Sequence, residues 1–576
     1  QRTGGAPLHG IEIASRIVFG KEAKDLSIAE QFVLASAVNR PIIVLDGSER
    51  LNAVRLDRWR YLTEVRARRC ADRLITDEAV QKQVVFDLIA MASGPPDPRI
   101  RPRLQEALER FAPGLARGAQ ANPVIRANVL MPSARYGIRE EMKQAYGFAW
   151  RDHVRGVTTT LDPAVNLGFR EKALATLAAL DAQYGPRIDP AYTLDPAKIS
   201  DDRKSPTVIV AAANAEGEIV RYFEQGETAS YFGSPFARDA STGFYRPAAE
   251  NRMVASTGKI IAAIAIANTL HDTTETPYLD AAAPAQGLET CEHGHEQHGR
   301  RAIVVFACSL NDPLLRRTAH VGQARVRKII DAVGYTMPPL NAAGEGTPPS
   351  TAAVLGHVAA APRRVHRLSA VVLASLIGRG AQAVKMPTLV RAYDYTHPES
   401  AAAAAYQGSG KIVPDKIIRP GARPLLRALL EAPLCYAPGG RPTGTLKTLS
   451  KWCAARHAGL RLHFAKTGTQ VAADPDATID AWITGGLQFA NGAAYSYVVV
   501  IGTGSAREPW ARKLHAAQVA APLVETLLKE LEADAKRHPR PDLLRRGRAP
   551  GPIAMPKRAP SARAAADEVR RNLVPN

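Results

Sequence analysis

The sequence predicts a multidomain fold in which a helical amino-terminal region precedes an α/β domain. Three observations carry this expectation. The chain has 576 residues, against roughly 100 to 200 for one domain, so more than one core is expected. The early residues, to about Gly114, show helix signals. Beyond Thr207, β-branched hairpin patterns occur early and late with apolar helical stretches between them, so the sheet must draw on both ends of that region.

The elements follow in order. Ser27 stands three residues before Glu30, a capping box that starts a helix running through Phe32, Val33, Leu34 and Ala37 as far as Pro41. An Arg-rich helix is expected from Arg55 to Arg73, read as a solvated face. The prolines between Gly94 and Arg103 break regular structure. The run Val157 to Leu161 ends in Asp162-Pro163, and an Ala- and Leu-rich helix follows to Tyr184. Thr207 to Ala213, a turn at Asn214 to Gly217, and Ile219 to Phe223 form a hairpin. An apolar helix is expected from Ser256 to Leu270. A second hairpin pairs Ala481–Phe489 with Ala494–Ile501 around Asn491-Gly492. A closing helix spans Gln518 to Ala535. From residue 536 on, eleven Lys or Arg, three Asp or Glu and seven prolines predict a disordered basic tail that cannot offset its ordering entropy by burial.

Composition narrows the class. The chain is 46% hydrophobic and 23% charged, as in soluble globular proteins and unlike disordered or fibrous ones. Lys and Arg number 75 against 55 Asp and Glu, a net charge of +20 that suits a polyanionic neighbour without naming it. No Walker-type phosphate loop is present, and no nucleic-acid partner is expected. No apolar run reaches the length of a membrane span, and no signal peptide opens the chain. Five scattered cysteines without a C-x-x-C pair predict no disulfide framework. Cys291, His293, His295 and His298 share one polar loop with ligand-like spacing. It is read as a solvated loop, and neither metal nor cofactor is expected.

The chemistry lies in three short motifs. Ser256-Thr257-Gly258-Lys259 places a Lys three residues after a Ser, on the same helix face, at a helix N-terminus that favours developing negative charge. A desolvated Lys has reason to become neutral and accept the Ser proton. Ser309-Leu310-Asn311 and Lys466-Thr467-Gly468-Thr469 follow downstream. The order Ser-x-x-Lys, Ser-x-Asn, Lys-Thr-Gly reproduces the signature of penicillin-interacting serine enzymes.

On these motifs the chain resembles the class A penicillin-binding proteins, bifunctional peptidoglycan glycosyltransferases and D,D-transpeptidases. Val157 to Pro163, the hairpin from Val208, Leu355-Gly356, Pro387 to Val390 and Gly444-Thr445 are similar to segments of that family at comparable places. Gly10 to Lys21 and Asp25 to Ala37 resemble the back half of its glycosyltransferase, while the Glu-Asp-x-x-Phe-x-x-His-x-Gly motif bearing the family's catalytic Glu is absent from the sequence. The resemblance implies a helical, lysozyme-like glycosyltransferase remnant (1–115), a linker region (116–203), an α/β penicillin-binding transpeptidase domain (204–535) whose antiparallel sheet carries helices on both faces, and the basic tail (536–576).

The same resemblance assigns roles. Ser256 is expected to be the acylated nucleophile, Lys259 its proton acceptor, Ser309 a shuttle to the leaving amine and Asn311 a holder of the substrate's peptide carbonyl. Lys466 supports the electrostatics, and Thr467 and Thr469, flanking Gly468, bind the terminal carboxylate. The amides of Ser256 and Thr469 form the oxyanion hole. The family usually has Gly before the nucleophile and Pro after the Lys, where Ala255 and Ile260 stand here. His9 and His463 are read as structural.

The implied function is peptidoglycan D,D-transpeptidation through a serine acyl-enzyme, open to β-lactams, with glycosyltransfer lost. The implied partners are stem peptides, glycan strands and, through the tail, an anionic membrane or wall polymer. The implied place is the periplasmic side of the bacterial inner membrane, with an anchor outside this chain. A D,D-carboxypeptidase, a β-lactamase-like hydrolase and a non-catalytic wall-synthesis scaffold remain alternatives.

Overall fold

The computed structural model describes residues 2–3, 6–7, 11–37, 63, 65, 67–93, 132–147, 150–200, 202–226, 231–232, 236–238, 245–247, 252–270, 291, 302–338, 345–401, 411–437, 440–472, 474–503 and 508–545. The chain divides into two compact units, 1–132 and 133–576.

Apart from a short strand pair, Arg2–Thr3 with Ala6–Pro7, the described part of the first unit is helical: α1 (Ile11–Val18), α2 (Ile28–Ala37), α3 (Arg68–Leu74) and α4 (Glu78–Ser93). The predicted capping box is formed. Glu30 N donates to Ser27 Oγ at 3.2 Å, and Ser27 N donates to the Glu30 carboxylate at 2.8 Å, satisfying two amides that the start of α2 leaves unpaired. Ala29, Val33, Leu34, Ala71, Val84 and Leu88 form its small core. Of the Arg-rich helix expected over 55–73, the described part is the stretch around α3; the remainder, like the end of α2 toward Pro41 and the Pro-rich 94–103, lies outside the described residues.

The second unit comprises α5 (Pro132–Tyr146), β1 (Val154–Thr159), α6 (Pro163–Tyr184), β2 (Thr207–Asn214), β3 (Ile219–Gln225), α7 (Lys259–Leu270), α8 (Ala302–Ala307), α9 (Asp312–Val321), α10 (Gln323–Val333), α11 (Pro362–Leu376), β4 (Val390–Tyr395), α12 (Arg423–Cys435), β5 (Leu460–Val471), β6 (Ala477–Phe489), β7 (Ala494–Gly502) and α13 (Ala521–Arg537). The main sheet is antiparallel in the order β5-β6-β7-β2-β3. Both predicted hairpins are present, and the late one joins the early one through β7 and β2.

Period-two alternation sends one set of side chains to each face. Val208, Val210, Ala212, Ile483, Leu487, Tyr497 and Val499 share a core with Phe169, Leu177 and Leu180 of α6 and Leu523, Leu527 and Leu531 of α13. On the opposite face α11 meets the sheet through polar contacts: Ser369 and Thr484 hydroxyls at 2.7 Å, and His366 with Ser496 at 3.0 Å. The expected sheet with helices on both faces is thus observed.

Three expectations are corrected. Within the linker expected over 116–203, the described α6 is part of the domain: Asp162 caps it through Val165 N (3.0 Å), and Phe169, Leu177 and Leu180 join one sheet-facing core. The folded chain does not stop at 535. Arg540 pairs with Glu216 at 2.7 and 3.0 Å, its amide donates to Asn491 O, and Leu543 is buried. Residues 546–576 lie outside the described residues. Finally, two disulfides are present, Cys291–Cys308 and Cys435–Cys453. Neither pair has a recognisable sequence spacing; tertiary folding brings their Cα atoms to 5.1 and 5.2 Å, within bonding range.

Candidate active site

The turn bearing Ser256 begins at a strained residue. Val254 and Ala255 donate their amides to Val358 O and Gly356 O, both at 3.1 Å. Ala255 takes φ +47°, the left-handed region where an L-residue's Cβ crowds its own carbonyl. One 3-10 turn, Ala255–Gly258, follows and runs into α7. Ser256 is half-buried there, while Lys259 is fully buried. Strand β5, at the sheet's edge, lies against this turn. A Cβ on Gly468 would lie 3.0 Å from Thr257 N and Val254 O, a crowded contact that glycine avoids.

Ser309 is placed by the end of α8. Leu310 N donates to Val305 O (3.0 Å) and Ser309 N to Phe306 O (3.2 Å), the bond pair of a Schellman motif with Cys308 as C-cap. Ser309 occupies the position that glycine usually fills and takes φ +55°. Asn311 then opens α9: its carbonyl receives the Leu314 and Leu315 amides, at 3.0 and 2.8 Å, and its side chain makes no capping bond.

These elements converge on two lysines. Lys259 Nζ donates to Ser309 O (2.6 Å), Ser309 Oγ (3.0 Å) and Asn311 Oδ1 (2.7 Å). Lys466 Nζ, reaching from β5, donates to Ser309 Oγ at 2.8 Å and to Thr467 O at 3.0 Å. Burial lowers Lys259 to about 7. Lys466 is held well below its ordinary value by burial and then by the Lys259 charge. As an ammonium, Lys259 spends its three protons on three acceptors. When it is neutral, the two carbonyl-type contacts still accept, so only the Ser309 hydroxyl can reverse and donate to the amine. Ser309 is therefore the group through which a proton can pass between the lysines.

The structure brings Lys259, Ser309, Asn311 and Lys466 into direct contact. Among the described residues, the Ser256 hydroxyl makes no hydrogen bond, so the Ser256–Lys259 contact suggested by their spacing is replaced by contacts of Lys259 with Ser309 and Asn311. Thr467 is buried and Thr469 half-buried. Thr469 Oγ1 accepts from Ala516 N at 3.0 Å, which leaves its proton available to an anion. His463 is buried between Trp452 O (2.7 Å) and Tyr497 Oη (2.9 Å), a structural place.

Cys291 is disulfide-bonded, which removes its thiolate from any metal set; His293, His295 and His298 lie outside the described residues. A cavity of about 390 Å³ at the other end of the sheet has its charges engaged, Arg391 with Glu218 and Arg540 with Glu216. The sequence reading missed the Cys291–Cys308 bond beside Ser309 and the ion pair of Arg252 with Asp480 (2.6 Å) four residues before Ser256. Neither has a local signal.

The fold and site define a serine-centred domain with an antiparallel sheet and two lysines converging on one hydroxyl. Solved structures similar to it are penicillin-binding proteins. Penicillin-binding protein PonA1 of Mycobacterium tuberculosis is 17% identical with a TM-score of 0.44, over 74% of this chain and 98% of that one. Penicillin-binding protein 3 of the same organism, complexed with aztreonam, is 15% identical with a TM-score of 0.40, over 70% and 83%. Penicillin-binding protein 2 of Pseudomonas aeruginosa is 14% identical with a TM-score of 0.40, over 67% and 78%. No family model and no curated protein matches the chain. Among the described residues, no helix is long and apolar enough to cross a membrane.

Proposed function

We propose that the chain is a peptidoglycan D,D-transpeptidase that forms an acyl-enzyme on Ser256 and is inhibited by β-lactams. The observation that carries the reading is the convergence of Lys259, Ser309, Asn311 and Lys466 through contacts of 2.6–3.0 Å beside the turn bearing Ser256. A lysine at about 7 is partly neutral at neutral pH and accepts the Ser256 proton once bound substrate brings Ser256 Oγ to it, as Oγ attacks the D-Ala-D-Ala carbonyl. Ser309 passes that proton to the leaving D-Ala amine. Lys466 and the Thr467 and Thr469 hydroxyls receive the substrate's carboxylate, and the Ser256 and Thr469 amides stabilise the oxyanion, each such donor contributing about 3 kcal/mol. Among the described residues no strand pairs with the outer edge of β5, which suits an extended peptide pairing by backbone hydrogen bonds.

A stem-peptide substrate and two disulfides both suit an oxidising compartment outside the cytoplasmic membrane. The first unit is read as a glycosyltransferase back lobe on the strength of Gly10 to Lys21 and Asp25 to Ala37. Incubation with a fluorescent penicillin tests the central claim: one label per chain is expected, lost in Ser256→Ala. Persistent labelling of that variant would overturn the assignment.

A further inference from the structure

The residue ahead of Ser309 is covalently tied to a part of the chain that carries no motif. Cys308, the C-cap of α8, is bonded to Cys291, at a sequence separation of 17. The second disulfide, Cys435–Cys453, at a separation of 18, closes the segment that holds Thr443, Gly444 and Thr445. That segment is docked on α8, because Thr445 N donates to Ala307 O at 2.9 Å. It is held in turn by Leu446 N to Pro433 O (3.0 Å) and Thr443 N to Tyr436 O (3.1 Å). The two residues before Ser309 are thus fixed from two sides, Cys308 by a covalent bond and Ala307 by a cross-linked strap.

Ser309 needs such a hold. Its φ of +55° is a conformation that a non-glycine residue leaves when its surroundings stop over-determining it. In that conformation its carbonyl and hydroxyl both meet Lys259 while the hydroxyl also meets Lys466. We propose that Cys291–Cys308 is a positioning cross-link that locks Ser309 toward the two lysines, so that the site is competent only when this bond is oxidised. The proposal rests on the acylation of Ser256 argued above. Cys291 and Cys308 are both half-buried, whereas Cys453 is buried, so a small dithiol reaches the first bond more readily. In that reaction the dithiol gives up two electrons and two protons and closes its own disulfide, and the Cys291–Cys308 bond breaks to two thiols.

The test uses the full chain. Alkylation of the oxidised protein is expected to find one thiol, Cys70; five would overturn the proposal. After mild reduction by a dithiol, with Cys291 and Cys308 newly alkylated, acylation by a fluorescent penicillin should slow by about ten-fold or more, with cooperative melting retained. The base limb of its pH profile should move upward, because a loosened pocket admits water to Lys259; a merely structural bond would not shift that limb. Reoxidation should restore both. Cys291→Ser with Cys308→Ser should behave as the reduced protein, and Cys435→Ser with Cys453→Ser should slow acylation less. Acylation of the reduced, folded protein at the oxidised rate would sink the idea. Amide exchange at Ser309 and Leu310 provides a reading independent of activity: faster exchange on reduction supports the cross-link's role, and unchanged exchange refutes it. If the oxidised protein takes no label at all, the transpeptidase reading fails, and the exchange measurement still decides the role of the bond.

Discussion

Ala255 gives its amide to the Gly356 carbonyl at 3.1 Å, and its own carbonyl fills the space a side chain on Gly356 would need. A Cβ there would lie 1.8 Å from Ala255 O, and Gly356 itself has φ +71°. The turn that presents Ser256 is therefore built on two left-handed residues, only one of which is glycine. Ala255→Gly should stabilise the protein by about 1 kcal/mol, because it relieves a conformation costly to L-residues. Gly356→Ala should destabilise it by several kcal/mol on the order of other severe backbone clashes and reduce acylation. Urea unfolding of both variants checks the pair; equal midpoints would refute the strain argument.

Arg252 anchors the same turn from behind. Its guanidinium meets Asp480 at 2.6 Å, with both side chains largely buried, and it also donates to Thr503 O. Arg252→Ala takes the guanidinium away from the buried Asp480 carboxylate, and a loss of about 3 kcal/mol is expected. Adding Asp480→Asn should recover part of it, and a double-mutant cycle in urea measures the coupling.

Acylation should depend on pH through Lys259. Burial lowers it to about 7, so the fraction of neutral amine, and with it the acylation rate, should rise as pH goes from 6 to 8 and then level. The rate constant for a fluorescent penicillin at each pH provides the check. A flat profile over that range would rule out Lys259 as the base.

Stability has its own pH dependence. Burial holds His366 and His463 down to about 4, below the value near 6.5 of an unfolded histidine. Below pH 6.5 the unfolded chain binds protons that the folded chain excludes, so their contribution is complete above 6.5 and is lost as pH falls toward 4. Glu224, raised to about 7 by burial, acts in the opposite sense, gaining stability as pH falls from 7 toward 4.5. Two histidines outweigh one carboxyl. Urea midpoints of the wild type should fall from pH 7 to 4.5, and His463→Gln should flatten that slope.

Truncation measures how much of the carboxyl terminus the domain needs. Ending the chain at residue 545 should leave melting and acylation unchanged, because the Arg540 contacts with Glu216 and Asn491 and the burial of Leu543 survive. Ending it at 535 removes them and should lower the melting temperature. Identical melting curves for the two truncations would show that 536–545 add nothing.

What the sequence determined by itself was whatever depends on neighbours along the chain. The Ser27–Glu30 box, the Asp162 cap and the two hairpins follow from local pattern and turn chemistry. The three motifs were legible because their residues are few, specific and ordered. The strand bearing Lys466 was not, since β5 alternates a charged Lys and a Gly where a strand pattern expects apolar residues; those positions answer to the site they face.

Tertiary structure alone decided the rest. It turned Lys259 to Ser309 and Asn311 rather than to Ser256, because the left-handed Ser309 offers two acceptors that sequence spacing cannot show. It made α6 part of the domain, since that helix finds its apolar partners on α13, far along the chain. It joined Cys308 to Cys291 and Arg252 to Asp480. A cross-link or a buried ion pair is set by where distant segments meet in space, and no residue carries that distance in its neighbours.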